Sequence, residues 1–424
     1  MSGIVTSNVF KGSGVIAATP GGLDWSSAVI TGSTLSAETG RGYFINTTSN
    51  ICTVTLPASP EIGDQIVFAD YARTWATYNL IIDSNGNNFQ GDPDTFTVDY
   101  STAGQSLNIV YSDATKGWLP VSDDAVANVP VAPPTQKGIF AFGNNGSPVS
   151  MSNLMNSSGV IATDVTGVGT ARDSLGATSY GGDKAIFAFG STGSYTSISN
   201  LVSNSGVVAS DTSGVGTVRV SSPATTFGTS GQAIFAYGYA SSPTNISNKV
   251  SGAGVVANDS TGVGTARYDP AAAPYGGDKG IFGFGNASGS GTAITNLVSS
   301  SGVISADVAG VGTGREAPAA TSYGGDKAIF AYGTTPGVGT QSMSNKVSNT
   351  GVVASDTSGV GTVRYLLAAA GYGGDKGAFV YGRDGGTRYS TKNLISNTGV
   401  VASNTTGVGT ARSNLGGAGY SISA

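Results

Sequence analysis

Short runs in which apolar and polar residues alternate cover the first part of the chain and predict strands. These runs are "GYFINTT", "CTVTLP", "DQIVFADYA", "NLIIDS", "FTVDY" and "SLNIVYS". Between them lie "SNGNN", "QGDPD" and "STAGQ", which are rich in turn-forming residues. Alternation with a period of two is typical of half-buried strands, and clusters of Gly, Asn, Asp and Pro indicate turns. Residues 38–126 are therefore predicted to form a β-sandwich or jelly-roll-like domain.

A longer pattern fills the rest of the chain. A stretch such as "SNTGVVASDTSGVGTVR" occurs six times, and the copies end at Arg172, Arg219, Arg267, Arg315, Arg364 and Arg412, spaced 47–49 residues apart. Helical repeats of similar length exist, but Gly, Val, Ser and Thr are too frequent here to favour helices. A period in the high forties with several short strands per copy predicts a β-propeller with one copy per blade.

Each copy divides into four strand-sized pieces. In the copy between Arg315 and Arg364, "APAATSYG" is the predicted innermost strand and "DKAIFAYG" the central one. The pieces "SMSNKVSNTG" and "GVVASDTSG" are the predicted outer strands. The array starts with a second strand, "KGIFAFG", and finishes with a first strand, "SNLGGAGYSISA". We expect these two to share a blade, which would close six blades without an open sheet edge.

A proline-rich stretch separates the two patterns. Pro130, Pro133 and Pro134 lie there, all three tryptophans precede it, and all six copies follow it. Such connectors favour extended geometry and make poor strands. The predicted organisation is an N-terminal anchoring arm (1–37), the sandwich-like anchor domain (38–126), a linker (127–136) and the propeller (137–424).

Composition narrows the possible functions. Only 11% of the residues are charged, the net charge is −5 and there is no histidine. The sequence has no basic patch, so we expect no nucleic-acid binding. It has no continuous apolar run of membrane-spanning length and no secretory signal pattern, so no membrane insertion is expected. The single cysteine, Cys52, lies in an alternating strand and is predicted to be a small core residue.

Converging reactive groups are not evident, so no catalytic residue, metal ligand or cofactor is predicted. The aspartates of "GGDK" (Asp183, Asp278, Asp326, Asp375) and of the outer turn (Asp164, Asp211, Asp307, Asp356) recur at equivalent positions. Equivalent positions do not meet in one cleft, and turn aspartates commonly hydrogen-bond nearby backbone. The repeated arginines are interpreted as structural, although a ring of six that binds an anion at the axis remains an alternative.

Divergent loops are the better candidates for function. The copies differ most after the second strand, where the loops are "NNGSPVSM", "STGSYTSI", "YASSPTNI", "NASGSGTAI", "TTPGVGTQSM" and "RDGGTRYSTK". Loops on a rigid scaffold commonly carry recognition. The predicted ligand-binding residues are Tyr195, Tyr239, Arg383, Asp384, Arg388 and Tyr389, which suit glycans or anionic surface polymers. Whether the loop face or the central channel takes the ligand is left open.

Two resemblances add to this interpretation. The arrangement "R…AAA…GGDKAIFAYG" resembles the kelch propeller motif in all six copies, with single glycines where kelch has pairs and no fourth-strand tryptophan. The resemblance implies a four-stranded blade.

The chain also resembles virion proteins of tailed bacteriophages, particularly tail-fibre-like proteins of phages that infect cyanobacteria. The residues that carry this resemblance are "ETGRGYFINTTSNICTVTLPASPEIGDQIVFADYARTWATYNLIIDSNGNNFQG", "IVYSDATKGWLP" and the repeat array. The resemblance implies a virion location, an N-terminal region held by other virion proteins, and a homotrimer that binds a host surface glycan or protein multivalently, without catalysis. Two alternatives remain: a capsid or neck decoration with a purely structural role, and a polysaccharide depolymerase.

Overall fold

The computed structural model describes residues 23–95, 98–123 and 136–421, and these residues form strands and turns without a helix. The predicted all-β class is therefore confirmed. The chain divides into two compact units, Met1–Pro133 (unit 1) and Pro134–Ala424 (unit 2). Residues 1–22 of the predicted arm and 127–135 of the predicted linker lie outside the described residues.

Unit 1 contains two sheets. Its strands are β1 (Asp24–Trp25), β2 (Thr34–Ser36), β3 (Arg41–Ile45), β4 (Cys52–Thr55), β5 (Gln65–Asp70), β6 (Leu80–Asp83), β7 (Val98–Tyr100), β8 (Ser106–Asp113) and β9 (Gly117–Asp123). The larger sheet has the order β1-β3-β5-β8-β9, and the smaller has the order β2-β4-β6-β7.

The first six strands of unit 1 alternate between the two sheets. As a result β1, β3 and β5 pair in parallel, as do β2, β4 and β6, whereas β7, β8 and β9 pair antiparallel. A jelly roll is built from antiparallel strands, so the jelly-roll-like connectivity predicted for this domain is wrong. The chain instead coils from one sheet to the other. Alternation marks a strand in sequence but does not reveal its partner, which explains the error.

The core of unit 1 lies between its sheets. Trp75, Trp118 and Cys52 are all fully buried in it. Burial raises the pKa of the Cys52 thiol to about 11, as befits a small core residue. Leu35 of β2 packs against the same core, and β2 pairs with β4. Residues 24–36, which the sequence places in the arm, thus contribute strands to these sheets.

Unit 2 contains six antiparallel sheets of three strands. In order along the repeats they are β33-β10-β11 (Gly416–Tyr420, Lys137–Ala141, Ser152–Met155), β12-β13-β14 (Gly176–Tyr180, Lys184–Ala188, Ser199–Val202), β15-β16-β17 (Ala224–Phe227, Gln232–Ala236, Ser247–Val250), β18-β19-β22 (Ala271–Tyr275, Lys279–Gly283, Thr295–Val298), β23-β24-β27 (Ala319–Tyr323, Lys327–Ala331, Ser344–Val347) and β28-β29-β32 (Ala368–Tyr372, Lys376–Val380, Lys392–Ile395). We refer to them as sheets I to VI. Short hairpins follow the second strand in sheets IV, V and VI: β20 and β21 (Asn286–Ala287, Ser290–Gly291), β25 and β26 (Thr334–Thr335, Gly339–Thr340), and β30 and β31 (Arg383–Asp384, Thr387–Arg388).

The fourth strand predicted for each copy does not form as a strand. In sheet V the segment 351–359 makes only isolated bridges, Ser344 to Thr357 and Val347 to Val353. The backbone N–H of Val352 donates to Ser348 Oγ at 3.1 Å instead of to a neighbouring strand. Local bonds of this kind from serine side chains compete with a ladder, so the prediction of four full strands is wrong.

Successive sheets of unit 2 contact one another, and sheet VI contacts sheet I. The first strands meet in the order β12, β15, β18, β23, β28 and β33, and β33 also meets β12. At the end of the sheets where the first strand turns into the second (the hairpin end), each sheet donates a backbone hydrogen bond to the next. These bonds run from Gly181 to Gly231, Gly228 to Asp278, Gly276 to Asp326, Gly324 to Asp375, Gly373 to Gln136 and Ser421 to Asp183, at 2.7–2.8 Å.

The buried apolar side chains lie between neighbouring sheets. Phe140 and Met155 of sheet I, for example, pack with Tyr372 and Val380 of sheet VI. Sheet I itself is assembled from distant parts of the chain, since β33 pairs with β10 from Lys137↔Tyr420 to Ala141↔Gly416.

Candidate functional site

Six arginines at the repeat ends connect neighbouring sheets. Arg315 is fully buried, with Nε donating to the Tyr332 carbonyl at 2.7 Å and Nη2 to Asn345 Oδ1 at 2.7 Å, both in the part of the chain that forms sheet V. Its guanidinium lies 4.1 Å from the ring centroid of Phe284, which follows β19 of sheet IV. The same stacking and burial occur at Arg172, Arg219, Arg267, Arg364 and Arg412.

An acidic residue completes this network in most copies. Asp356 accepts hydrogen bonds from the N–H (2.9 Å) and Oγ1 (2.7 Å) of Thr313 and from Asn345 Nδ2 (2.8 Å). Burial opposes ionisation of Asp356, but these hydrogen bonds and the charge of Arg315 outweigh it and lower its pKa. Equivalent bonds are made by Asp164, Asp211, Asp259 and Asp307, and Asn404 takes the position in the last copy.

The arginine network explains the repeated residues as structural elements. Burial lowers the pKa of Arg315 to about 10, which still leaves the guanidinium charged at neutral pH. Each arginine is already bonded to carbonyl or amide oxygens inside the protein, so the alternative of an anion-binding arginine ring at the axis is wrong. The "GGDK" aspartates at the hairpin end pair with the next lysine at 2.7–2.9 Å, as in Asp326 and Lys327.

The opposite end of the six sheets carries the divergent loops. We call this surface the loop face; it comprises the loops 142–151, 190–198, 238–246, 285–294, 333–343 and 382–391 and the lead-in segments 172–175, 219–223, 267–270, 315–318, 364–367 and 412–415. In each copy a backbone bridge joins the loop to the lead-in segment, as between Ser191 and Asp173. Loops and lead-in segments therefore form one continuous end of the sheets.

Two of the predicted site residues belong to a row of three tyrosines on the loop face. Tyr195 is 41% exposed, and its ring packs edge-on against Tyr239 with centroids 6.4 Å apart. Tyr239 packs in the same way against Tyr268 at 5.6 Å. Tyr268 escaped sequence analysis because it directly follows a repeated arginine and looks like part of the framework.

The other four predicted residues lie in the loop of sheet VI and are half-buried by neighbours. Arg383 Nε donates to the Tyr365 hydroxyl at 2.8 Å, and Asp384 accepts from Thr340 Oγ1 at 2.7 Å. Arg388 Nη2 donates to Asn144 Oδ1 at 2.8 Å, which joins sheets VI and I. The N–H of Tyr389 donates to the carbonyl of Gly382 at 2.8 Å. The structure thus groups the candidates into two clusters rather than one site.

Six residues of the lead-in segments form a collar. The collar residues are Ser174, Ser221, Asp269, Ala317, Leu366 and Asn414, all with φ between 51° and 58°. Backbone hydrogen bonds link them from one sheet to the next: Ser221 to Ser174, Ala317 to Asp269, Leu366 to Ala317, Asn414 to Leu366, and Ser174 to Asn414, at 2.8–3.1 Å. The collar therefore holds neighbouring sheets together at the loop face.

The collar lines a cavity of about 140 Å³. A second cavity of about 490 Å³ lies toward the hairpin end. Both are lined by the same set of small residues from the first strands: Ala177, Ala224, Ala272, Ala320, Ala369 and Gly417. The two cavities therefore adjoin each other along the first strands. The small side chains of these strands leave the space that forms them.

Asp269 has the most unusual electrostatics among the described carboxylates. Burial raises its pKa to about 6, and the negative charge of Glu316 adds to this, while a hydrogen bond from Ser221 acts in the opposite direction. Glu316 itself accepts a hydrogen bond from Asn286 Nδ2. Sequence analysis missed Asp269 because only one of the six copies carries an acidic residue there, so no repetition drew attention to it.

Comparisons with known proteins add no relative. No protein-family model matches the sequence, and no curated protein matches it either. Within residues 23–95, 98–123 and 136–421, no cluster of three or more Cys, Asp or Glu side chains is arranged to hold a metal ion. Over the same residues, no helix has the length and apolarity needed to cross a membrane.

Proposed function

We propose that unit 2 is a closed six-bladed, kelch-like β-propeller. Three observations support this: the cyclic order of contacts between first strands, the cycle of backbone hydrogen bonds at the hairpin end, and the pairing of β33 with β10. In a closed ring β33 covers the edge of β10, and only short outer edges of the blades remain. Six three-stranded sheets with isolated bridges along their outer strands fit this architecture.

We further propose that the chain is a tail-fibre or receptor-binding protein of a tailed bacteriophage that attaches the virion to its host without catalysis. The observation that carries this proposal is the contrast between a uniform framework and a divergent loop face. The same arginine network recurs in every sheet, whereas the loops that share one end of the sheets differ in every copy. A rigid scaffold with variable loops suits recognition.

The resemblance to phage virion proteins supplies the rest of the proposal. It favours a virion location, attachment to other virion proteins through the N-terminal region, and a homotrimer. Three weak sites that engage one surface together can bind about 10²–10⁴ times more tightly than one. Immunogold labelling of phage particles with an antibody against the chain tests the location. Labelling of the head or neck instead of the tail would favour the structural decoration.

Cell binding tests the attachment function. The full chain carrying a fluorescent label is titrated against cyanobacterial strains, alongside the double variant Tyr195→Ala/Tyr239→Ala. The matched control is Tyr71→Ala, which removes an exposed tyrosine of unit 1. We expect saturable binding to at least one strain, lost in the double variant and kept in the control. Equal binding by all three proteins, or none to any strain, would overturn the proposal.

One observation favours a second function, a polysaccharide depolymerase. Asp269 lines the smaller cavity, the negative charge of Glu316 acts on it, and the pKa of Asp269 is raised to about 6. Glycosidases use such a pair, one carboxyl as acid and one as base or nucleophile. Release of reducing sugar from host polysaccharide, abolished by Glu316→Gln, would establish this function.

A further inference from the structure

The collar keeps side chains where the backbone favours glycine. Positive φ is the left-handed region, which glycine enters readily, asparagine and aspartate less often, and other residues rarely. Asn414 and Asp269 are of the favoured kinds, and the other collar positions hold Ser, Ala and Leu. The conformation is common to all six sheets, yet the side chain differs from sheet to sheet. The backbone conformation alone therefore does not determine which side chain each collar position carries.

The polar and the apolar side chains of the collar are grouped on different sides of the cavity. Backbone hydrogen bonds link Asn414, Ser174 and Ser221 in this order, and Ser221 hydrogen-bonds the side chain of Asp269 in the next sheet, so four polar groups lie in succession. Ala317 and Leu366 complete the collar as its apolar part. The cavity consequently has a polar side and an apolar side, which a framework of equal repeats does not require.

The polar side contains an unused hydrogen-bonding group. Asn414 Nδ2 donates to Ser174 Oγ at 2.9 Å, whereas Asn414 Oδ1 is buried and has no partner among the described residues. A buried acceptor of this kind is normally satisfied by water or a ligand. The Asp269 carboxylate adds further acceptor positions at the other end of this polar run.

The cavity of about 140 Å³ is close in volume to an engineered cavity of about 150 Å³ that admits benzene. A sugar ring is larger than benzene, so it would extend from this cavity toward the adjoining one of about 490 Å³, which shares its lining residues. A pyranose has the matching chemistry, since its hydroxyl groups donate to carboxylate and amide oxygens and its C–H face packs on apolar side chains. The carboxylates Asp269 and Glu316 disfavour acidic sugars by charge repulsion.

We propose that the collar cavity binds one neutral pyranose unit, with hydroxyl groups on Asp269 and Asn414 and the apolar face on Ala317 and Leu366. The inference deepens the proposed attachment function and rests on it for its biological meaning. The unit can be a free sugar or the end of a surface glycan, because both present the same ring.

Ligand binding to the full chain tests this proposal. Saturation-transfer NMR and calorimetry are run with methyl glycosides of glucose, galactose, mannose and rhamnose, and with neutral oligosaccharides that end in the same sugars. Asp269→Asn and Leu366→Asn are the test variants, and both are expected to fold because asparagine accepts positive φ. Asp278→Asn is the matched control, since it makes the same change at the hairpin end of the same sheet.

We expect at least one methyl glycoside to bind, with affinity reduced tenfold or more in both test variants and unchanged in the control. Tighter binding of the oligosaccharide would identify a glycan end as the source, and equal binding a free sugar. Binding to the wild type should weaken as the pH falls through about 6, because Asp269 becomes protonated, and Asp269→Asn should lose this dependence. Glu316 and Tyr268 are the titratable groups that interact with Asp269, Tyr239 lies against Tyr268, and Asp269→Asn removes the charge of Asp269 alone.

The outcomes separate the two proposals. No binding by any glycoside, or equal binding by wild type and Asp269→Asn, would overturn the cavity proposal even if the chain attaches to host cells. Glycoside binding that is lost in the test variants, together with no attachment to any strain, would support the cavity proposal and overturn the attachment function.

Discussion

The two ends of the six sheets in unit 2 differ in how closely the six copies agree in sequence. At the hairpin end, four of the turns carry the same "GGDK" residues with the same Asp–Lys pair. At the loop face, loop lengths, aromatic residues and collar side chains differ from copy to copy. Both ends are tied from sheet to sheet by backbone hydrogen bonds. Backbone bonding therefore maintains the assembly at each end, and side-chain identity at the loop face is free to serve another purpose.

The largest expected effect on stability comes from the arginine network that connects neighbouring sheets. Arg315→Ala leaves Asn345, Asp356 and the Tyr332 carbonyl without their buried partner, and we expect a loss of about 3–5 kcal/mol in the stability of unit 2. Urea unfolding followed by far-ultraviolet circular dichroism measures this loss. All three tryptophans lie in unit 1, so their fluorescence serves as the internal control and should not change. A loss below about 1 kcal/mol would contradict the structural role of the arginines.

In the last copy Asn404 stands where the other copies have an aspartate, so the contribution of the charge can be tested there. Arg364 faces Asn404, and its Nε has no hydrogen-bond partner among the described residues, unlike Nε of Arg315. We expect Asn404→Asp to stabilise unit 2 by about 1 kcal/mol at pH 7, because it adds the charged acceptor that the other copies have. A carboxylate with a lowered pKa stabilises above its unfolded pKa and loses this effect as the pH falls through its folded pKa. The gain should therefore disappear near pH 3, and a pH-independent gain would argue against the charge.

The loop face should show the opposite pH dependence. The pKa of Asp269 is raised to about 6 from an unfolded value of 3.8, so its ionisation works increasingly against folding as the pH rises from 3.8 to about 6 and fully above that. We expect Asp269→Asn to stabilise unit 2 by about 1–2 kcal/mol at pH 7.5, since the side chain keeps some exposure, and to have no effect below pH 4. Thermal unfolding at both pH values checks this. Destabilisation at pH 7.5 would show that the carboxylate is a structural element after all.

The smallest effect is expected at the hairpin end. Lys327 pairs with Asp326 at 2.7 Å, but both side chains are about 40% exposed. Exposed pairs are screened by water and salt. Lys327→Ala should leave the urea midpoint of unit 2 unchanged within error, and a clear shift would mean that this turn contributes more than its backbone bonds.

The structural features that could be predicted from the sequence are mostly those carried by repeated residues. The first and second strands of every sheet, and the pairing of the array's first and last strands, follow from residues that recur six times. The arginines were interpreted correctly as structural for the same reason. The parallel strand pairing of unit 1 could not be predicted from alternation alone. The sequences of β2 and β4 contain no feature that identifies the strand with which each of them pairs.

The site was harder to predict than the framework. Tyr195 and Tyr239 were found because they stand out in divergent loops, and they do lie together. Asp269, Asn414 and Leu366 occupy equivalent positions, but nothing in the sequence shows that these positions face one cavity or share a positive φ. Their significance depends on comparing sheets in space, which requires the fold first.

The pairing of β33 with β10 also affects the timing of biosynthesis. Sheet I needs residues near both 140 and 420, so it stays incomplete until almost the whole of unit 2 has left the ribosome. Sheets II to VI can form during translation, but the edge of β10 stays uncovered until β33 pairs with it. A nascent chain that stops short of residue 416 would keep this edge open, and open edges attract other strands. Only a chain that includes Gly416–Tyr420 can therefore complete sheet I.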